Sequence, residues 1–171
     1  MWFDDFETPI GMLKIAIDDK GLRYVLFESN KHAPPHIVDW RKDFNATQIA
    51  REQLLQYFAG ERKEFDLEIS LEGTDFQQRT WQTLASIPYG QTWSYAELAK
   101  QVDSPKAVRA VGAANGRNPL PIVLPCHRVI GSNGSLTGFG GGLPVKQWLL
   151  EHESSVIRAT RSDTKNKQVM S

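Results

Sequence analysis

A single cysteine, Cys126, occurs in the 171 residues. One thiol cannot close an internal disulfide, and a cysteine-based zinc site is excluded with it. Histidine is also scarce. His32, His36, His127 and His152 are scattered, and only the first two have a spacing that could share a helix face. Pro34 and Pro35 lie between them, so no metal is expected. No apolar run is long enough to cross a bilayer. The N-terminal Met-Trp-Phe-Asp-Asp-Phe-Glu is acidic and lacks the basic and apolar regions of a secretory signal. Net charge is zero, from 20 Lys+Arg against 20 Asp+Glu, so the whole chain is no polyelectrolyte binder. A cytosolic setting, where a lone thiol stays reduced, fits these absences.

What is present is unevenly spread. Residues 1–75 carry a net −6, residues 76–150 a net +5 and residues 151–171 a net +1. An acidic first part and a basic second part point the second toward an anionic partner, although a solvated face would look the same. Hydrophobic residues make up 40%, enough to bury a core.

Residues 2–6, 11–17 and 21–28 read as strands, the last two joined by the Asp18-Asp19-Lys20-Gly21 turn. Residues 29–40 read as a loop. A helix is predicted over 46–58, with Ile49, Leu54, Leu55, Tyr57 and Phe58 apolar and Gly60 as its stop. Strict alternation over Phe65 to Leu71 predicts a strand. This half shows no glycine-rich phosphate loop and no carboxylate pair suited to chemistry. Beyond the boundary at 72–75, Thr74 or Asp75 can cap a helix over 76–86. Ser94 and Glu97 have capping-box spacing before a helix over 95–102. Ser104-Pro105 reads as N-cap and first-turn proline of a helix to Asn115. The pair resembles a helix-turn-helix. Its second helix is rich in Ala and Gly, with Arg109 the main long side chain, which suits close approach to a surface more than base-edge readout. A last helix is predicted over 144–152, and the polar tail from Ser154 is expected to be disordered.

Cys126 follows the apolar Pro121-Ile-Val-Leu-Pro125 and precedes His127 and Arg128. A lone Cys in apolar sequence is commonly a small core residue. Cationic neighbours, however, raise the thiolate fraction and hence reactivity. On an extended segment Cys126 and His127 would face opposite sides, so a bend or a bridging water must join them if His127 is the base.

The ordered set Arg109-Ala-Val-Gly-Ala-Ala-Asn115, Asn118-Pro, Ile122-Val-Leu-Pro-Cys-His-Arg-Val-Ile130, Gly138-Phe-Gly-Gly-Gly142 and Lys146-Gln-Trp-Leu-Leu-Glu-His-Glu153 resembles the O6-alkylguanine-DNA alkyltransferases. The likeness is close over about 73–153 and loose before it. It implies an α/β fold: a small ribonuclease H-like α/β domain (1–72), then a mainly helical winged helix-turn-helix alkyltransferase domain (73–155), then the tail (156–171). It implies direct reversal of O6-alkylguanine and O4-alkylthymine damage by single-turnover transfer to Cys126. His127 would act on the thiol through a water, with Glu153 orienting it, and Tyr95 would protonate the leaving guanine. Arg109 would fill the gap left by the flipped nucleotide, and Ser94, Ala110, Asn115 and Arg128 would also contact DNA. Asn118, Pro121, Val129, Phe139, Gly140 and Gly141 would form the substrate pocket, with Asn118 bracing the turn before Cys126. The resemblance implies double-stranded DNA bound through the minor groove, no cofactor, no membrane and a monomer.

The residues agree with that chemistry. The target atom is unreachable inside a duplex, so the base must be flipped out. A protein that accepts any sequence context needs phosphate contacts and close approach. A thioether has no easy hydrolytic way back, so the protein should be consumed. Many relatives have Tyr where Phe139 stands, and some have Ser at Gly140. A small Gly140-Gly141 wall beside Pro121 is expected to admit alkyl groups larger than methyl. Labelling of Cys126 by a benzylguanine analogue tests this. Two other readings compete. A non-catalytic lesion-binding protein on the same fold would lack the nucleophile. A papain-like thiol hydrolase would need a separate Asn or Asp orienter and a different arrangement of the histidine, and would turn over repeatedly.

Overall fold

A computed structural model describes residues 1–29 and 34–170, with backbone alone for 163–170. The expected loop over 29–40 falls partly outside these residues, as does His32. Strands β1 (Trp2–Thr8), β2 (Gly11–Ile17), β3 (Leu22–Phe27) and β4 (Arg41–Lys42) form one sheet in the order β3-β2-β1-β4. β1 and β2 pair antiparallel from Trp2↔Ile17 to Thr8↔Gly11. The turn into β3 is held by Asp18 Oδ1, which accepts from the Lys20 and Gly21 amides at 2.8 and 3.1 Å. A short 3-10 turn at Ile37–Asp39 interrupts the expected loop.

Helix α1 (Gln48–Phe58) lies against this sheet and ends where Gly60 adopts φ 78°. It buries Ala50, Leu54, Tyr57 and Phe58, whereas Ile49 and Leu55, expected on the same face, are exposed at 66% and 40%. Residues 65–69 keep their in-out alternation, Ser70 is buried against it, and the stretch forms no strand; it pairs only through the Leu22↔Ile69 bridge. The Gln53 side chain takes both the Asp66 amide (2.9 Å) and carbonyl (3.0 Å), so these groups are satisfied without a sheet partner.

In the second half α2 (Asp75–Leu84) starts with a full capping box between Thr74 and Gln77. Helices α3 (Tyr95–Gln101) and α4 (Val108–Gly116) follow. Ser104-Pro105 does not start α4. Asp103 is left-handed at φ 60°, and the Ser104 amide reaches back to the Ala99 carbonyl at 2.9 Å. These residues therefore close α3 in a Schellman-type turn. β5 (Trp93–Ser94) and β6 (Val129–Ile130) make a short parallel pair that frames the segment between. Helix α5 runs from Leu143 to Met170, so the expected disordered tail is helical backbone as far as it is described. Residues 154–170 hold no Gly or Pro to break the helix. Val156 and Ile157 are half-buried, over Gly60 and Gly90, where an added Cβ would meet them.

One buried cluster spans both halves, from Leu13, Ile15 and Leu54 through Trp81, Leu84 and Leu98 to Cys126 and Leu149. The β3 edge is fastened to the second half by the Val25 amide, which donates to the Pro119 carbonyl at 2.9 Å.

Candidate active site

The approach to Cys126 is a tight loop. Asn118 donates its Nδ2 to the Leu124 carbonyl (2.7 Å) and accepts from the Leu120 amide (2.9 Å). The Leu124 amide closes onto the Leu120 carbonyl at 2.8 Å. Within this loop Ile122 is left-handed, at φ 75°, which is uncommon for a β-branched residue. Cys126–Arg128 then form a 3-10 turn rather than extended chain. Of the bend or bridging water that the sequence called for, the backbone supplies a bend, while His127 Nδ1 meets no protein partner and leaves the water as the link to the thiol.

The Cys126 thiol is buried and borders a cavity of about 80 Å³. Asn118, Pro121, Phe139 and Gly140 line it from the second half, and Tyr24 to Phe27 of β3 line it from the first. Burial pushes the thiol up to about 11. The Asn118 side chain, the Lys146 charge and nearby backbone amides oppose that rise. The adjacent Arg128, expected to lower it, is turned away and neutralised.

Behind Cys126 lies a buried charge cluster. His127 Nε2 is 2.6 Å from Glu153 Oε2. Arg128 grips the same carboxylate with Nε (2.8 Å) and Nη2 (3.1 Å), and gives Nη1 to the Ile87 carbonyl (2.7 Å). The Gly90 amide (3.0 Å) and the Tyr57 hydroxyl (2.6 Å) complete the donor set. Although burial opposes ionisation, hydrogen bonds and charge from His127 and Arg128 hold Glu153 far below the usual carboxylate range. An ionised carboxylate only accepts, so His127 carries its proton on Nε2. Its Nδ1, buried and without a protein partner, is then the basic nitrogen. Burial lowers the His127 pKa, Glu153 raises it, and Arg128 and Lys146 lower it further, so the imidazole is neutral near pH 7. Gly90 has φ 78°, and a side chain there would collide with Ile157. Its backbone can approach Glu153 only as glycine.

The remaining expected residues divide. Arg109 and Ala110 lie exposed on α4, and Ala113 beside them is exposed as well. Ser94 is half-buried and caps α3, accepting from the Glu97 amide at 3.1 Å. Asn115 does not lie on the outer face of α4: it is 2% exposed, with Nδ2 3.5 Å from the Cys126 carbonyl, and it lines the cavity instead. Arg128 is buried in the Glu153 pair, and its guanidinium is not on the surface. The Tyr95 hydroxyl rests on Thr137, 3.2 Å from its carbonyl, and does not line the cavity. The Val129 carbonyl accepts from Lys146 Nζ at 2.6 Å, leaving it one lone pair. Phe139 packs on Phe27 with ring centres 5.4 Å apart. Gly141 does not enlarge the cavity. A Cβ there would lie 2.6 Å from the Phe27 ring, which already occupies that space.

Sequence reasoning missed Lys146 and Tyr57. Lys146 is fully buried and also gives its ammonium to the Thr137 carbonyl at 2.7 Å. Burial lowers it to about 8. It stands seven residues, two helical turns, before Glu153 on the inward face of α5. That periodicity was a usable signal. Among the described residues no group of three or more His, Cys, Asp or Glu could hold a metal.

Two descriptions match the chain in tandem: "6-O-methylguanine DNA methyltransferase, ribonuclease-like domain" over residues 4–71, and "6-O-methylguanine DNA methyltransferase, DNA binding domain" over 75–155. The chain belongs to this family. A methylated-DNA–protein-cysteine methyltransferase of Methanosarcina acetivorans is 48% identical over 155 residues, covering 91% of this chain and 99% of the relative. One of Mycobacterium tuberculosis is 50% identical over 149 residues, covering 87% and 90%. A solved structure of Mycobacterium tuberculosis OGT in complex with DNA superposes with TM-score 0.85 at 47% identity, covering 91% of this chain and 94% of that one. The methyltransferase family thus accounts for both halves of the fold, with the cysteine-bearing turn inside the second. No helix among the described residues is long and apolar enough to cross a membrane.

Proposed function

We propose that this chain repairs DNA by moving the alkyl group of O6-alkylguanine, and of O4-alkylthymine, onto Cys126, once per molecule. One observation carries the reading: the chain's only thiol borders a cavity, and directly behind it a neutral histidine is held by an ionised glutamate. Because burial keeps Cys126 protonated at rest, the thiolate forms on demand. His127 Nδ1 takes the proton through a water. Sγ attacks the alkyl carbon, the S–C bond forms and the C–O6 bond breaks. The electron pair passes to the guanine, and Tyr95 protonates it as it leaves, once its hydroxyl lets go of the Thr137 carbonyl and turns toward the cavity. No cofactor enters this balance.

On the DNA side, the exposed face of α4 supports minor-groove binding. Ala110 and Ala113 allow close approach, and Arg109 fills the stack where the damaged base has flipped out. Of the cations in the basic segment, Arg79, Lys100, Lys106, Arg109 and Arg117 are exposed and available to phosphates. In this reading residues 1–72 wall the pocket, residues 73–155 react, and the protein works as a cytosolic monomer. With excess duplex carrying one O6-methylguanine, lesion loss should stop at an amount equal to the protein. A rate that continues past that amount would indicate hydrolytic turnover instead.

A further inference from the structure

Glu153 takes one of its donors from the other half of the chain. Tyr57, on α1, gives its hydroxyl to Oε2 at 2.6 Å, the same oxygen and the same distance as His127 Nε2. The Tyr57 side chain is fully buried. Its ring packs edge-on to Tyr89 and His152, and the His152 ring nitrogen lies 2.8 Å from the Tyr57 carbonyl. Burial and the Glu153 charge hold the phenol well above its ordinary range, so it remains a donor.

We infer that Tyr57 is a positioning residue for alkyl transfer: by sharing Glu153 Oε2 with His127, it sets from the N-terminal half how the imidazole is held and how readily it accepts a proton. The inference rests on the proposed function, in which His127 is the base. A donor on Oε2 draws negative charge away from the Nε2–H contact. Other groups bear on the imidazole too. Glu153 and Lys146 come from α5, Arg128 and Cys126 from its own turn, and Tyr89 stacks under Arg128 with 5.4 Å between guanidinium and ring centre. Tyr57 alone among these comes from before α2. It is also the donor that can be removed without leaving a charge unpaired, because Arg128 and Gly90 still hold the carboxylate.

Without the phenol, His127 has a larger share of Oε2 and its imidazolium forms more easily. Tyr57→Phe should therefore move the His127 titration to higher pH. Replacing Tyr57 with 3-fluorotyrosine, a stronger donor that keeps the ring, should move it to lower pH. Nitrogen-15 NMR of the full chain without DNA reads both. Methyl transfer by Tyr57→Phe, followed against pH, should be slowed about tenfold on the acid side and by progressively less as pH rises. An unmoved His127 titration in the fluorotyrosine protein, or a rate loss in Tyr57→Phe that is equal at every pH, would reduce Tyr57 to a packing residue and overturn the inference. The NMR titration needs no lesion. A protein that never accepts a methyl group would sink the proposed function and leave this result standing.

Discussion

Burial decides what Cys126 can do. Its thiol is raised from 9.0 to about 11, so its contribution to stability is complete below pH 9 and is lost as pH rises through about 11. Thiolate absorbance in the ultraviolet should rise with a midpoint near that value in the folded protein, and Lys146→Met, which removes an opposing cation, should move it higher. The same change leaves the buried Val129 carbonyl without its donor and the Thr137 carbonyl with Tyr95 alone, at a cost of about 1–3 kcal/mol in denaturant unfolding. Glu153→Gln removes the counter-charge of buried Arg128 and should cost about 3–5 kcal/mol, with methyl transfer falling as His127 loses its orienting partner. The acid response follows from the same cluster. His127 is lowered, so its stabilisation is present above 6.5 and fades as pH falls. Glu153 is lowered too, so its share is present above 4.5 and is lost below. Unfolding midpoints against pH should show the lower leg in the native protein and not in Glu153→Gln. Cys126, His127 and Glu153 were legible because they stand in one ordered motif. Arg128 was misread because adjacency in sequence is not adjacency in space: the 3-10 turn aims it at Glu153, away from the thiol.

Element boundaries depended on partners far away in the chain. The capping pattern at Thr74 and the stop at Gly60 are local chemistry and could be read directly. The strand expected at 65–71 shrank to one bridge: Gln53 meets the Asp66 backbone groups, and Glu68 and Ser70 alone pair with Leu22 of β3. Helix α4 starts later than its proline suggested because Asp103 and Ser104 were already committed to ending α3. Polarity after Ser154 suggested disorder, but Val156 and Ile157 find a surface made by Gly60 and Gly90. Truncation after Ser155 should therefore lower stability by about 1–3 kcal/mol, read as a drop in melting temperature, since apolar side chains lose their cover. A side chain at Gly90 should be worse. Gly90→Ala combines left-handed strain with a collision against Ile157, and it displaces the amide that Glu153 accepts.

The main core of the molecule runs through both halves, with the reactive turn at their seam. β3 supplies one wall of the cavity, and Phe27 fills the space that Gly141 leaves open. No periodicity in residues 22–27 announces this, because a strand's partners across a fold are set by topology. Phe27→Ala should cost about 3–5 kcal/mol and widen the cavity toward β3, detectable as faster labelling of Cys126 by a bulky benzylguanine analogue relative to a methylated duplex. The central claim is that Cys126 receives the alkyl group and keeps it. Intact mass of the protein after mixing with an oligonucleotide bearing one O6-methylguanine tests this most directly. The account predicts a gain of one methyl group per molecule, going no further with excess DNA and absent in Cys126→Ala. Binding of the oligonucleotide with no gain in mass would contradict it, and Cys126 would then be a core residue beside a lesion-binding surface.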